Sequence, residues 1–161
     1  MSLTFSLGGK KDKSRISIAF TTNILGSERL QPLIIGHYNQ PRCFGRRTSQ
    51  ALGTEFHFEY HYNANSWMTG NVFQTWLSNF DRQMQGRRVL LLVDNARCHV
   101  ARDVLLHNIT VHFLPPNTTS KLQPLDAGII AAFKRRYRKL HMEAALDKDE
   151  NGEEDIYSVL L

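Results

Sequence analysis

Two acids occupy positions where a sheet protein can hold a metal ion. Asp94 directly follows the apolar run Val89–Val93, and Asp126 comes two residues after Pro124, in the first turn of a predicted helix. Open α/β sheets place their sites in the loops after such strands, and a helix N-terminus favours an ionised carboxylate. Two carboxylates that meet repel each other unless a cation lies between them, and oxygen ligands suit Mg²⁺ or Mn²⁺. A shared metal site is one interpretation. Ordinary turn formation at Asp94 and helix capping at Asp126 are the other.

Several other chemically active side chains lie close to Asp94 in the sequence. Asn95 and His99 are candidates to assist a metal or a phosphate, although a turn asparagine and a loop histidine packed on backbone explain them equally well. Cys98 and His99, taken with Cys43, do not predict a zinc site, because no closely spaced ligand pair accompanies them.

The elements that must position these residues follow from hydrophobic periodicity. Alternation predicts strands early in the chain, the first two forming a hairpin, and an unbroken apolar run predicts a strand that is buried on both faces before Asp94. A helical period predicts one helix in the middle, capped by Thr69 or Asn71, and another at the end that begins at Pro124. The predicted strands are 15–23, 31–38, 55–63, 89–94 and 109–114, and the predicted helices are 65–84, a short turn at 101–106, and a last helix with an apolar stripe at 125, 129, 133, 137 and 140.

The remaining segments carry weaker signals. Residues 1–14 are polar and contain glycine, which predicts a flexible entry, and residues 41–53 are predicted to form a loop. Trp67 and Trp76 are expected to be core anchors rather than platforms for stacking bases. The order of elements predicts a mixed α/β fold with one sheet covered by helices.

Composition and charge narrow the class of protein. The 161 residues suit one domain, the two cysteines predict no disulfide framework, and no apolar run is long enough to span a membrane. The net charge of +5 is unevenly distributed. An acidic tail, residues 147–161, follows a domain predicted to cover residues 1–146. A cationic run near the start of the last helix is a solvated face or a surface for phosphates, and it comprises Lys134, Arg135, Arg136, Arg138 and Lys139.

Longer motifs resemble a known family. The sequence "LLLVDNARCH", followed by "HFLPPNTTSKLQPLDAGIIAAFKRRYR", resembles the catalytic domain of DDE superfamily endonucleases, most of all the pogo and Tigger branch of mariner-type transposases. The hairpin from Lys11 to Phe44 and the "SWMTGNVFQTWLSNF" helix are similar to the same family. The similarity spans roughly residues 10–139.

The resemblance implies a fold and a chemistry. It implies an RNase H-like mixed sheet flanked by helices, in which three acids hold two Mg²⁺ or Mn²⁺ ions for phosphodiester cleavage and strand transfer on DNA. Asp94 corresponds to the second acid and Asp126 to the third. Asn95 and His99 are then candidates to orient these ligands or a metal-bound water, and the cationic run is a candidate DNA-binding surface. The resemblance further implies a nuclear protein, with a homodimer as a candidate assembly and without a membrane span or a small-molecule cofactor.

One departure from the family pattern affects the expected activity. The family's first acid lies on a strand upstream of residues 10–20, and this sequence shows no such strand, so we expect the sheet to lack its first strand. Asp12, Glu55 and Glu59 are poor substitutes for that acid. We therefore expect weak metal binding and little or no nuclease activity from this chain. The alternative is a domesticated, non-catalytic module that binds DNA or chromatin proteins. A small-molecule phosphatase is disfavoured, because no second acid or nucleophile follows Asp94 closely.

Overall fold

The computed structural model describes residues 2–6, 15–102, 104–115 and 125–150. Within these ranges the fold is mixed α/β, as the sequence predicts, but the prediction of one sheet is wrong, because the strands form two small sheets. The strands are β1 (Ser2–Ser6), β2 (Arg15–Ala19), β3 (Leu33–Gly36), β4 (Glu59–Tyr62), β5 (Val89–Val93) and β6 (Ile109–Phe113), and the α-helices are α1 (Ser49–Phe56), α2 (Gly70–Gln83) and α3 (Ile130–Glu150). No described helix is long and apolar enough to cross a bilayer.

The chain divides into two compact units, which we name by their sheets. The four-strand unit comprises the described residues up to 67 and from 125 onward, and its sheet has the order β1-β2-β3-β4. β1, β2 and β3 are antiparallel neighbours, and β4 runs parallel to β3. The predicted hairpin of β2 and β3 is therefore confirmed. The buried apolar side chains of this unit are Ile18, Leu33, Ile35, Leu52 and Ile130.

The N-terminal prediction is wrong over part of its length. Residues 2–6 form β1, whose backbone pairs with the whole of β2, from Ser2 opposite Ala19 to Ser6 opposite Arg15. The expectation that the sheet lacks its first strand is therefore wrong, because β1 pairs with the edge of β2 where that strand was expected to be absent. The sequence of β1, "SLTFS", contains no acid, so the strand does not supply the carboxylate that the family pattern places upstream.

A helix replaces the predicted loop before β4. Thr48 caps α1 by accepting a hydrogen bond from the Ala51 amide (3.2 Å), and a short 3₁₀ turn, Arg42–Phe44, precedes it. The strand predicted for 55–63 is correspondingly shortened, because Glu55 and Phe56 belong to the helix and His57 ends it in a left-handed conformation (φ 56°). The alternating pattern of apolar and polar residues predicts a strand from Glu55. The backbone groups of Glu55 and Phe56 belong instead to the helix that Thr48 caps.

The two-strand unit comprises the described residues from 68 to 115. β5 and β6 pair in parallel, with Val93 opposite Phe113, as expected for two strands joined by a crossover. Thr69 caps α2 by accepting from the Val72 amide (3.3 Å), which confirms one of the two predicted caps. The predicted apolar face of α2 is confirmed by burial of Val72, Phe73, Leu77 and Phe80.

Two details of the two-strand unit differ from the prediction. Leu91 and Val93 are buried, but Leu90 is 63% exposed and Leu92 is 46% exposed, so β5 is buried on one face only. The apolar run gave no alternation by which to recognise a one-sided strand. The short helix predicted at 101–106 is also wrong, because the described residues in that range form irregular chain.

The last helix is confirmed, although its α-helical part begins at Ile130 and its predicted apolar stripe is only partly buried. A π-helical turn, Leu125–Ile129, precedes α3, and Gly128 (φ 145°) forms the kink between them. Ile130 is buried, whereas Ile129 and Leu140, two members of the predicted stripe, are 50% and 65% exposed. The other three members of the predicted stripe, Leu125, Phe133 and Tyr137, are half-buried. Phe133 contacts Phe20 edge-on with a centroid distance of 4.9 Å. The predicted loop and Pro124 lie outside the described residues.

Candidate active site

Asp94 leaves the end of β5 with its carboxylate held by two donors. Its Oδ1 accepts from the Ala96 amide (3.2 Å) and lies 2.6 Å from Nδ1 of His99. The first bond is the turn geometry that the short polar side chain of aspartate favours. The second is a close, charge-assisted contact across a five-residue loop. Among the residues described, Oδ2 of Asp94 has no partner.

His99 is a buried part of the loop rather than a mobile side chain. Only 7% of the residue is exposed, and its ring lies over Phe73 of α2 with a centroid distance of 4.7 Å. Its Nδ1 also approaches the Asp94 carbonyl oxygen (3.2 Å). His99 therefore connects the buried face of α2 to the carboxylate. The sequence allowed His99 either to act at the site or to pack on nearby backbone. Packing is observed, and the ring contacts both the carbonyl and the carboxylate of Asp94.

The electrostatics of the pair follow from this contact. The hydrogen bond from His99 lowers the pKa of Asp94, burial opposes that shift, and the Ala96 amide adds to it. Asp94 is therefore an ionised carboxylate at neutral pH. Burial, together with the charge of Asp94, raises the pKa of the neighbouring Cys98 thiol.

Asp81 is an anchor that was not predicted from the sequence. It is 5% exposed, near the end of α2, and its carboxylate accepts from the backbone amides of His107, Asn108 and Ile109 at 2.8–3.1 Å. The Asn108 side chain also donates to the Asp81 carbonyl (3.0 Å). These bonds fix the start of β6 beside α2. An acid on the apolar face of the helix, eight residues after Phe73, was the available signal in the sequence.

Whether a metal ion suits this site depends on the carboxylate oxygens of Asp94. A carboxylate whose one oxygen is fixed by hydrogen bonds while the other remains available suits a hard cation. Within the described ranges, no three His, Cys, Asp or Glu side chains are grouped to hold a metal. Asp126 lies in the π-helical turn of the other unit, and its side chain is not among those described. The pairing of Asp94 with Asp126 therefore stays a prediction.

The acids considered as substitutes are engaged elsewhere. Glu55 forms an ion pair with Arg47. Glu59 lies 2.9 Å from His61. Asp12 lies outside the described residues. Asn95, the other residue singled out beside Asp94, is exposed and occupies the loop between β5 and His99.

The predicted cationic surface lies on the first half of α3. Arg135, Arg136, Arg138 and Lys139 are exposed, whereas Lys134 is half-buried. Lys139 lies 3.6 Å from Glu143 one turn later, so part of its charge is compensated. A solvated face is therefore observed, and a role of these cations in binding phosphate stays a prediction.

The two tryptophans differ in their environment. Trp76 is half-buried between Phe73 and Phe80, with centroid distances of 5.9 and 5.4 Å, in agreement with a core role. Trp67 is 53% exposed, so the prediction of a core anchor is wrong there. Residue type alone gave no indication of this difference, because it arises from the turn that follows β4.

Comparison with known proteins assigns the chain to a family. A family model described as DDE superfamily endonuclease matches residues 13–159. The chain is 34% identical over 155 residues to CENP-B homolog protein 2 of Schizosaccharomyces pombe, with 90% of this chain and 29% of the relative covered. It is 34% identical over 154 residues to Tigger transposable element-derived protein 4 of Mus musculus, covering 94% and 29%. ARS-binding protein 1 of Schizosaccharomyces pombe is 34% identical over 149 residues, covering 87% and 28%.

The matches concern one part of larger proteins. The chain spans less than a third of the length of each of these relatives. No solved structure matches the chain significantly. The resemblance carried by the sequence motifs is thereby confirmed at the level of the family.

Proposed function

Because this chain belongs to the DDE superfamily endonucleases, we propose that it is a transposase-derived domain that acts on the phosphodiester backbone of DNA with divalent metal ions. The observation that carries the proposal is Asp94, an ionised carboxylate fixed at the end of β5 with one oxygen available. A relative named for transposable elements and another named for binding ARS support DNA as the substrate. The proposed fold is RNase H-like, and the proposed location is the nucleus.

In this proposal Asp94 and Asp126 are metal ligands. Mg²⁺ or Mn²⁺, when bound, would activate the attacking oxygen and stabilise the leaving one. Asp94 would contribute Oδ2, while His99 and the Ala96 amide hold Oδ1. His99 is a positioning residue, because it contacts the ligand rather than the metal. Asn95 is exposed beside the carboxylate and would contact phosphate or a metal-bound water.

Three acids that could stand in for the first acid of the family pattern are engaged elsewhere. Glu55 and Glu59 are paired with basic side chains, and Asp81 is held by three amides. We therefore propose that the 161 residues bind metal weakly and cut DNA slowly or not at all by themselves. A non-catalytic role on DNA is the second candidate, and the exposed cations of α3 favour it.

A metal titration tests the proposal. Calorimetry with Mn²⁺ is compared for the unaltered chain, Asp94→Ala and the control Glu143→Ala, which removes an exposed acid on α3. Weak binding that disappears only in Asp94→Ala supports the metal site. Equal binding by all three chains contradicts it.

Plasmid nicking in Mn²⁺ separates the two candidate functions. Nicking that depends on Asp94 would show that the two acids suffice and would overturn the proposed dependence on a third. Absence of both metal binding and nicking, with duplex DNA binding retained, would favour the non-catalytic role.

A further inference from the structure

An open pocket lies where three strand ends meet in the four-strand unit. Arg15 begins β2, His37 follows β3, and residues 63–67 follow β4. Since β2 is antiparallel to β3 and β3 is parallel to β4, these positions share one edge of the sheet. Such edges are common ligand sites in α/β proteins. The pocket has a volume of about 550 Å³ and is lined by Arg15, His37, Tyr38, Ala64, Asn65, Ser66 and Trp67.

The pocket walls present exposed aromatic rings. Trp67 is 53% exposed and Tyr38 is 62% exposed. The rings of His37 and Tyr38 meet edge-on at a centroid distance of 4.5 Å. Large rings left in water on a concave surface offer stacking area to a flat ligand.

The charge of the pocket favours an anion. The Arg15 guanidinium lies over the Trp67 ring, 5.5 Å from its centroid, and no lining residue is acidic. The same arginine disfavours a cationic ligand such as a methylated lysine, for which an aromatic cage would otherwise be suitable. His37 Nδ1 bonds the Ala64 carbonyl (2.7 Å), which leaves its Nε2 for a ligand.

The pocket is rigid before any ligand arrives. Oδ1 of Asn63 accepts from the amides of Asn65 and Trp67 (3.2 Å each), and its Nδ2 donates to the Trp67 carbonyl (2.7 Å). Outside the lining, Tyr60 holds Tyr38 by donating to its carbonyl (2.6 Å). Burial, reinforced by the nearby Cys43, raises the pKa of Tyr60 to about 12, so the phenol remains a donor. Fixed walls reduce the entropy that binding must overcome.

We propose that this pocket binds an unpaired base of single-stranded DNA, which stacks on Trp67 while Arg15 contacts the adjoining phosphate. A planar ring and an anion in one ligand match the two chemical features of the pocket. The inference goes beyond the proposed metal chemistry, because no pocket residue belongs to the Asp94 site. Only the choice of DNA as the strand rests on the proposed function.

Binding of an oligothymidylate of about 16 nucleotides tests the inference. Fluorescence anisotropy is measured in EDTA, beside an abasic strand of equal length and charge. We expect the strand with bases to bind more tightly, and Trp67→Ala to weaken its binding about tenfold while leaving the abasic strand unaffected. Trp67→Phe, which keeps a ring, should retain most of the affinity and guards against a folding defect.

Intrinsic fluorescence locates the bound base. The chain has two tryptophans, and binding should quench the emission of Trp76→Phe, in which only Trp67 remains, but not that of Trp67→Phe. Equal affinity for strands with and without bases, or quenching that persists in Trp67→Phe, would overturn the inference. Competition by thymidine monophosphate at the same concentration as the strand would instead assign the pocket to a soluble nucleotide.

The metal proposal and this inference fail separately. A chain that binds no Mn²⁺ but retains base-dependent strand binding refutes only the metal site. The converse result refutes only the pocket.

Discussion

Nδ1 of His99 lies 2.6 Å from Oδ1 of Asp94, so the acid proposed as a metal ligand is held by a buried ring that packs on Phe73. The side chain of His99 is 5% exposed and that of Asp94 is 23% exposed, and the contact is therefore only weakly screened by water. Any change at His99 should consequently affect both the stability of the two-strand unit and the direction of the carboxylate.

Replacing the His99 imidazole by another aromatic ring tests the hydrogen bond to Asp94 separately from the packing. His99→Phe should retain the stacking on Phe73 but remove the donor to Asp94, at a cost of about 1.5–3 kcal/mol in unfolding free energy. If Asp94 binds metal, its Mn²⁺ affinity should fall by roughly 10–100-fold. His99→Asn, which keeps a donor but removes the ring, should show the larger packing defect. Urea unfolding and calorimetry measure the two effects, and unchanged stability in His99→Phe would contradict the assigned role.

Asp81 should make the protein sensitive to acid. Although burial opposes ionisation, the amides of His107, Asn108 and Ile109 lower the pKa of Asp81 below its ordinary value. A carboxyl group with a lowered folded-state pKa stabilises the fold above its unfolded pKa and loses that contribution as pH falls through the folded value. Stability should therefore decline below about pH 4, where unfolded aspartates begin to protonate.

The Asp81→Asn variant provides the comparison. It should be less stable at pH 7, and its melting temperature should depend less on pH below about pH 4. Asp94, whose pKa is also lowered, should account for part of the slope that remains. If the melting temperatures of the two chains fell equally with pH across that range, the assignment to Asp81 would be contradicted.

Gly53 should tolerate no side chain. A Cβ at this position would collide with the Phe58 carbonyl oxygen, whereas one at Gly70 would meet nothing within 4 Å. Gly53→Ala should therefore cost about 1–3 kcal/mol, because backbone must move. Gly70→Ala, at the start of α2, should be neutral or slightly stabilising. Equal melting temperatures for the two variants would show that the turn after α1 can accommodate a Cβ at Gly53.

The cations of α3 should provide a salt-dependent part of duplex DNA binding. Arg135→Ala combined with Arg138→Ala should weaken binding uniformly across sequences and reduce the slope of log K against log salt by about 0.9 for each phosphate that is no longer neutralised. Arg29→Ala combined with Arg82→Ala changes the net charge equally at exposed positions elsewhere. An equal effect from both pairs would indicate a general charge effect rather than a surface on α3.

Local signals in the sequence were enough to predict the family and most of the elements, while the pairing of Asp94 with Asp126 stays a prediction. The motifs match a DDE superfamily endonuclease over residues 13–159, and a 3.6-residue period with a capping threonine was sufficient for α2. Caps, periods and motifs depend on residues close in the chain, which is why they can be read without the fold. β1 was missed because it depends on pairing with β2, whereas α1 carried a local signal, the Thr48 cap, that was overlooked.

The partners of the charged and aromatic side chains, in contrast, depend on the tertiary fold. His99 contacts Asp94 across a loop, and Asp81 accepts a hydrogen bond from Asn108, 27 residues away. Trp67 remains about half exposed to solvent. Residue type fixes what such a side chain can bond, but the approach of distant backbone fixes what it does bond. Burial and hydrogen bonding across the fold are therefore the properties that could not be predicted from local sequence.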